Sequence, residues 1–171
     1  MPPNEMPRSS TDTTTGEVRA TVEIAAPPEQ VFEALTDPEQ LEAWWGSEES
    51  YRTGGWQVDP QPGGEWSVRT SDARGDEATV RGEYFVVDPP RVLEYSWAAS
   101  WDDFAPTTVR FELSPAVVRG VSGTRLTVTH TCSAVLDVRA QAGVSSTIDW
   151  PRLLRLFARS AEALSALPLA A

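Results

Sequence analysis

Apolar and polar residues alternate from Glu17 onward, with Val18, Ala20, Val22 and Ile24 in one set and Arg19, Thr21 and Glu23 in the other. A period of two separates the faces of a strand, so residues 17–24 read as a half-buried strand. The period then lengthens. Pro27 and Pro28 suit a first helical turn, and Val31, Phe32 and Leu35 follow at helical spacing. Asp37-Pro38-Glu39-Gln40 reads as a second helix start: Asp37 is the N-cap, Pro38 takes the first helical position and Gln40 completes a capping box. Leu41, Trp44 and Trp45 form the apolar face of this short helix.

The middle of the chain consists of short alternating runs punctuated by Gly and Pro. Gly54-Gly55 and Pro62-Gly63-Gly64 bracket a run holding Trp56 and Val58, and Trp66 and Val68 follow, the pattern of a hairpin. Asp88-Pro89-Pro90 turns the next pair, with arms at 78–87 and 92–97, and the second arm sets Leu93, Tyr95 and Trp97 against Glu94 and Ser96. Residues 108–113 and 125–132 repeat the pattern, with Val109, Phe111 and Leu113 in one and Leu126, Val128, His130 and Cys132 in the other. One-sided patterning along successive short strands predicts an antiparallel sheet with a single solvated face.

The C-terminal segment supplies a cover for the other face. Trp150, Leu153, Leu154, Phe157, Ala161 and Leu164 recur at helical spacing, while Arg152, Arg155, Arg159 and Glu162 point away. Asp149 is the expected N-cap, with Pro151 just inside the helix. Residues 1–16 are Pro, Ser, Thr and Asn with almost no apolar content, and are expected to be a disordered tail ahead of a single domain over 17–171. The fold class is therefore α+β: one strand, two short helices, a long antiparallel run and a long closing helix.

Composition narrows the chemistry. The 171 residues hold 25 acids and 14 basic residues, all arginine, for a formal net charge of -11. The arginines are scattered among acids, which argues against a nucleic-acid or membrane-surface partner. One cysteine and one histidine are too few for a zinc site or an internal disulfide. Neither a cofactor nor a metal is expected. No signal segment or membrane span is evident, so a cytoplasmic location is expected. Seven tryptophans are the surplus, and Trp is rewarded where large apolar surface encloses something.

Several runs carry a family resemblance. They are Ile24-Ala25-Ala26-Pro27-Pro28-Glu29-Gln30-Val31-Phe32-Glu33-Ala34-Leu35-Thr36-Asp37-Pro38-Glu39-Gln40-Leu41 with Trp44-Trp45, then Gly63-Gly64-Glu65-Trp66, Gly82-Glu83-Tyr84 through Asp88-Pro89-Pro90-Arg91-Val92-Leu93, Gly123-Thr124-Arg125-Leu126-Thr127-Val128-Thr129-His130, and Asp149-Trp150-Pro151. Together they resemble the START-like superfamily, in the branch related to the C-terminal domain of the activator of Hsp90 ATPase. The resemblance covers residues 17 to 167. It implies the helix-grip (START/Bet v 1-like) fold, a curved antiparallel sheet wrapped around the long C-terminal helix. Its members include co-chaperones, lipid and hormone carriers and polyketide cyclases, so fold alone does not choose among them.

In a helix grip the space between helix and sheet can hold an apolar ligand against aromatic walls. By alternation Trp66, Tyr84, Tyr95, Trp97, Phe111, His130, Trp150 and Phe157 face that space, with Trp44 and Trp45 near its mouth. The first expectation is thus a binding protein, without chemistry of its own, for a small hydrophobic or aromatic molecule. The alternatives are a polyketide cyclase or aromatase-like enzyme, in which His130 with Tyr95 or Tyr84 would handle protons, and an interaction module for an Hsp90-type chaperone. A homodimer is left open.

Other groups read as structural. Cys132 shares a face with His130, yet no third group or oxyanion donor can be named for a nucleophile. Glu48-Glu49 and Asp102-Asp103 read as solvated loop acids. Gly54-Gly55 and Gly63-Gly64 lack the lysine and the following helix of a phosphate loop.

Overall fold

The computed structural model describes residues 8–12, 17–45, 47–48, 51–72, 74–100, 106–131 and 150–165. In chain order the elements are β1 (Arg8–Asp12), β2 (Glu17–Ile24), α1 (Pro28–Thr36), α2 (Pro38–Trp44), β3 (Ser47–Glu48), β4 (Tyr51–Val58), β5 (Glu65–Asp72), β6 (Glu77–Asp88), β7 (Val92–Ala99), β8 (Thr107–Val118), β9 (Val121–Thr131) and α3 (Trp150–Ser165). The strands form one antiparallel sheet in the order β1-β2-β9-β8-β7-β6-β5-β4-β3. Because β2 lies near one edge and β3 at the other, α1 and α2 carry the chain across the concave side of the curved sheet. With α3 they give the expected helix-grip architecture.

The two-residue period decides what each strand buries. Ala20, Val22 and Ile24 of β2, Leu93, Tyr95 and Trp97 of β7, Val109, Phe111 and Leu113 of β8, and Leu126, Val128 and His130 of β9 are all buried on one face. Against them α3 sets Leu153, Leu154, Phe157, Ala158 and Ala161, and its neighbours include β2, α1, α2 and β1. Burial of each large apolar side chain contributes about 1.5–3 kcal/mol, which makes this face the main source of cohesion. Leu164, expected on the same helical face, is instead 43% exposed.

Four local features differ from the sequence reading. Within the segment expected to be a tail, Arg8–Asp12 form β1 and pair with Glu17–Thr21. Such pairing uses backbone groups alone, so an apolar pattern is not needed to support it. At the α1–α2 junction the Asp37 N–H donates to the Glu33 carbonyl and so ends α1. Gln40 therefore cannot close a capping box on that N–H. Its Nε2 donates to Asp37 Oδ2 instead, while Asp37 Oδ1 caps the Glu39 N–H.

Strands β8 and β9 run on to a tight turn at Arg119-Gly120, where both φ angles are positive (49° and 80°). The first of these strands was expected to span only 108–113, and the observed extension takes in Pro115, which lacks a ladder N–H. The proline is accommodated opposite Thr124, beyond Glu112, where the pairing of β8 with β7 has stopped. The fourth difference is Glu162, expected to point into solvent: its Oε1 accepts the Ala25 N–H at 2.9 Å and Arg119 Nη2 at 2.7 Å. The closing helix is thereby tied to the β2–α1 connection and to the β8–β9 turn.

Candidate functional site

Of the ten aromatic and imidazole side chains expected around the interior space, nine are buried: Trp44, Trp45, Trp66, Tyr84, Tyr95, Trp97, Phe111, His130 and Phe157. The side chain of Trp150 lies outside the described residues, as do Cys132, Glu49, Asp102, Asp103 and Asp149. Trp44 and Trp45 are not at a rim. Trp44 is 1% exposed and packs edge-on against Phe157, with ring centroids 4.7 Å apart. Its indole N–H donates to the Ala34 carbonyl at 3.0 Å, which locks α2 onto α1.

From this point the aromatic rings form a continuous series. Trp44 meets Trp45 at 5.3 Å, Trp45 meets Trp56 at 5.6 Å, Trp56 stacks on Trp66 at 6.1 Å, and Trp66 meets Tyr95 edge-on at 5.1 Å. Tyr95 then contacts both Tyr84 and Phe111 at 5.9 Å. Trp56 belongs to this series although alternation did not select it for the site. Val58 is registered opposite Trp66, and Trp56, two residues earlier, sits at a bulge between Gly54 and Gln57 where Gly55 has φ 65°. Thr53 holds the ring in place: its hydroxyl accepts the Trp56 indole N–H and donates to the Trp45 carbonyl.

Trp66 crosses the sheet rather than standing on its own strand. Its indole N–H reaches from β5 over Gly82 of β6 to the Ser96 carbonyl of β7, 3.2 Å away. A Cβ on Gly82 would lie 1.7 Å from that carbonyl oxygen and 2.4 Å from the indole nitrogen, so only glycine leaves room for the bond. Ser96 serves twice, because its hydroxyl also accepts the Glu83 N–H at 2.9 Å. No local pattern around Gly82 signals this role. It depends on a neighbour sixteen residues earlier.

The polar members occupy one row across the sheet. The register aligns Tyr84 with Tyr95, Tyr95 with Val109, Val109 with His130, and His130 with Val18. Two strand spacings, about 9.5 Å, therefore separate the Tyr95 position from the His130 position. His130 Nε2 lies 2.6 Å from Thr107 Oγ1, and that hydroxyl donates its proton to the Trp97 carbonyl at 3.0 Å. Thr107 Oγ1 thus bridges the His130 ring and the Trp97 carbonyl. Burial lowers the His130 pKa to about 4, which keeps the ring neutral at pH 7. Thr107 sits one residue before the expected start of its strand, and a threonine reads as a solvent-facing residue until the fold is known.

Burial also raises the phenols of Tyr84 and Tyr95 above the ordinary tyrosine value, with the Asp59 charge adding at Tyr84 and Tyr84 adding at Tyr95. Both remain O–H donors across the physiological range. Among the described residues no cluster of His, Cys, Asp and Glu could hold a metal ion, and no helix is long and apolar enough to cross a membrane.

The same architecture recurs in solved structures. A crystal structure of protein Ms6760 from Mycobacterium smegmatis is 21% identical with a TM-score of 0.72, the alignment covering 96% of this chain and 98% of that one. A protein from Rhodobacter sphaeroides is likewise 21% identical with a TM-score of 0.73, over 94% of this chain and 99% of its own. DynU16, described as a protein of the dynemicin biosynthetic locus, aligns at 22% identity and a TM-score of 0.60, over 88% of this chain and 48% of its own length. At these identities the likeness establishes the fold. None of the curated proteins matches the chain. The family described as Activator of Hsp90 ATPase homolog 1-like protein matches residues 25–160, which include the aromatic series and the Thr107–His130 pair, and the chain belongs to that family.

Proposed function

We propose that this protein encloses a small hydrophobic or aromatic molecule between its sheet and its C-terminal helix, without chemistry of its own. The observation that carries the reading is the ring series from Phe157 through Trp44, Trp45, Trp56 and Trp66 to Tyr95, each member within 6.1 Å of the next. Rings of this kind give apolar contact area with little loss of side-chain entropy, and their faces and edges suit another aromatic plane. Admission of a ligand would require α3 or α2 to shift, since both pack over the series.

Proton-transfer chemistry of the cyclase kind draws less support. It requires acid and base to reach one substrate atom, whereas Val109 stands between the Tyr95 and His130 positions and His130 Nε2 is engaged by Thr107. A chaperone contact rests on family membership and is tested by whether the protein changes the ATPase rate of a bacterial Hsp90.

Titration with a neutral apolar fluorophore such as N-phenyl-1-naphthylamine tests the main reading. Saturable binding with quenching of tryptophan emission supports it. Absence of saturable binding, with the protein folded by circular dichroism, overturns it.

A further inference from the structure

Burying a hydroxyl without a hydrogen-bond partner is costly, so interior tyrosines ordinarily find one. The buried indoles of Trp44 and Trp66 follow that rule through the carbonyls of Ala34 and Ser96, and Thr124 does so through Ala26. The phenol oxygens of Tyr84 and Tyr95 do not: neither makes a hydrogen bond to a described residue, although the side chains are only 2% and 6% exposed. Neither oxygen is among the fully enclosed side-chain atoms that lack a partner, so each keeps a trace of accessible surface. The two residues face each other across β6 and β7, with ring planes at 83° and centroids 5.9 Å apart, at the sheet end of the aromatic series.

We propose that Tyr84 and Tyr95 are the specificity-determining donors of the site, and that they select a planar neutral aromatic ligand bearing a carbonyl oxygen over its hydrocarbon counterpart. This rests on the enclosed-ligand reading above and adds the ligand's chemistry. A carbonyl oxygen has two lone pairs and no proton, which complements a pair of phenol donors. A carboxylate is a poorer match, because the Asp59 charge lies near Tyr84 and the chain carries a net charge of -11. The flanking Trp66 and Phe111 rings supply the contact for the planar skeleton.

Fluorene and 9-fluorenone share one planar skeleton and differ by the carbonyl, so equilibrium dialysis of both against the protein isolates the oxygen. Fluorenone is expected to bind about fivefold to thirtyfold more tightly than fluorene, corresponding to one or two net hydrogen bonds. In the Tyr84→Phe/Tyr95→Phe double variant that preference should fall to about one while the affinity for fluorene is unchanged, and each single variant should lie between. Urea midpoints of the variants establish that the fold is retained. Equal binding of both compounds to the wild type, or a preference that survives the double substitution, overturns the proposal and leaves the enclosed-ligand reading standing. Binding of neither overturns both.

Discussion

Thr107 Oγ1 lies 2.6 Å from His130 Nε2 and joins the only histidine in the chain to the Trp97 carbonyl. The ring is kept neutral by burial, with its pKa lowered from 6.5 to about 4. Unfolding between those two values takes up a proton. The stabilising contribution is therefore complete above about pH 6.5 and is lost as the pH falls toward 4, on the order of 3 kcal/mol in all. Urea midpoints at pH 7 and pH 4.5 should show wild type losing more stability on acidification than His130→Gln. Equal losses in the two proteins would remove His130 as the cause.

Gly82→Ala places a methyl group against the Ser96 carbonyl and the Trp66 indole, both held by the sheet. The clash is with backbone, so no side-chain rotation relieves it. A loss of about 3 kcal/mol or more is expected, with a red shift of tryptophan emission as Trp66 is displaced. A midpoint within error of wild type would show that the β6–β7 ladder yields more readily than its geometry implies.

The tie at Glu162 should separate into two unequal parts. Arg119 is 55% exposed, so Arg119→Ala is expected to cost no more than about 1 kcal/mol. Glu162→Ala also removes the acceptor of the part-buried Ala25 N–H, and about 1–2 kcal/mol is expected. Glu162→Gln retains an acceptor oxygen and should behave like Arg119→Ala. If Arg119→Ala proved the more damaging, the ion pair rather than the Ala25 contact would be what secures the helix.

Phe157 is fully buried beneath Trp44 and joins α3 to α2. Phe157→Ala should lower stability by about 3–5 kcal/mol, and Phe157→Leu by much less because most of the volume is kept. Thermal melts of the pair would distinguish a filled contact from one that collapses when the ring is removed.

The features that were legible in the sequence are those written in a local period. Leu93, Tyr95 and Trp97 face inward because strands alternate, and Leu153, Leu154 and Phe157 do so because helices repeat every three to four residues. What escaped was decided across strands. Trp56 joins the ring series because Val58, two residues on, is registered opposite Trp66 of the next strand, and Gly82 matters only because an indole from another strand passes over it. Thr107 gained its importance from a histidine twenty-three residues later. The strand at Arg8–Asp12 was hidden for the opposite reason, since an edge strand can pair through its backbone while its side chains follow no apolar rule.

The indoles of Trp44, Trp45, Trp56 and Trp66 follow one another at 5.3, 5.6 and 6.1 Å. At such separations excitation passes between rings before it is emitted, so the four behave as one optical unit whose emission is drawn from its lowest-energy member. A molecule that touches Trp66 at one end thereby alters light absorbed at Trp44 beside the closing helix. The protein's own fluorescence is in this sense a built-in reporter for the whole interior, and single Trp→Phe changes along the series would show where the excitation comes to rest.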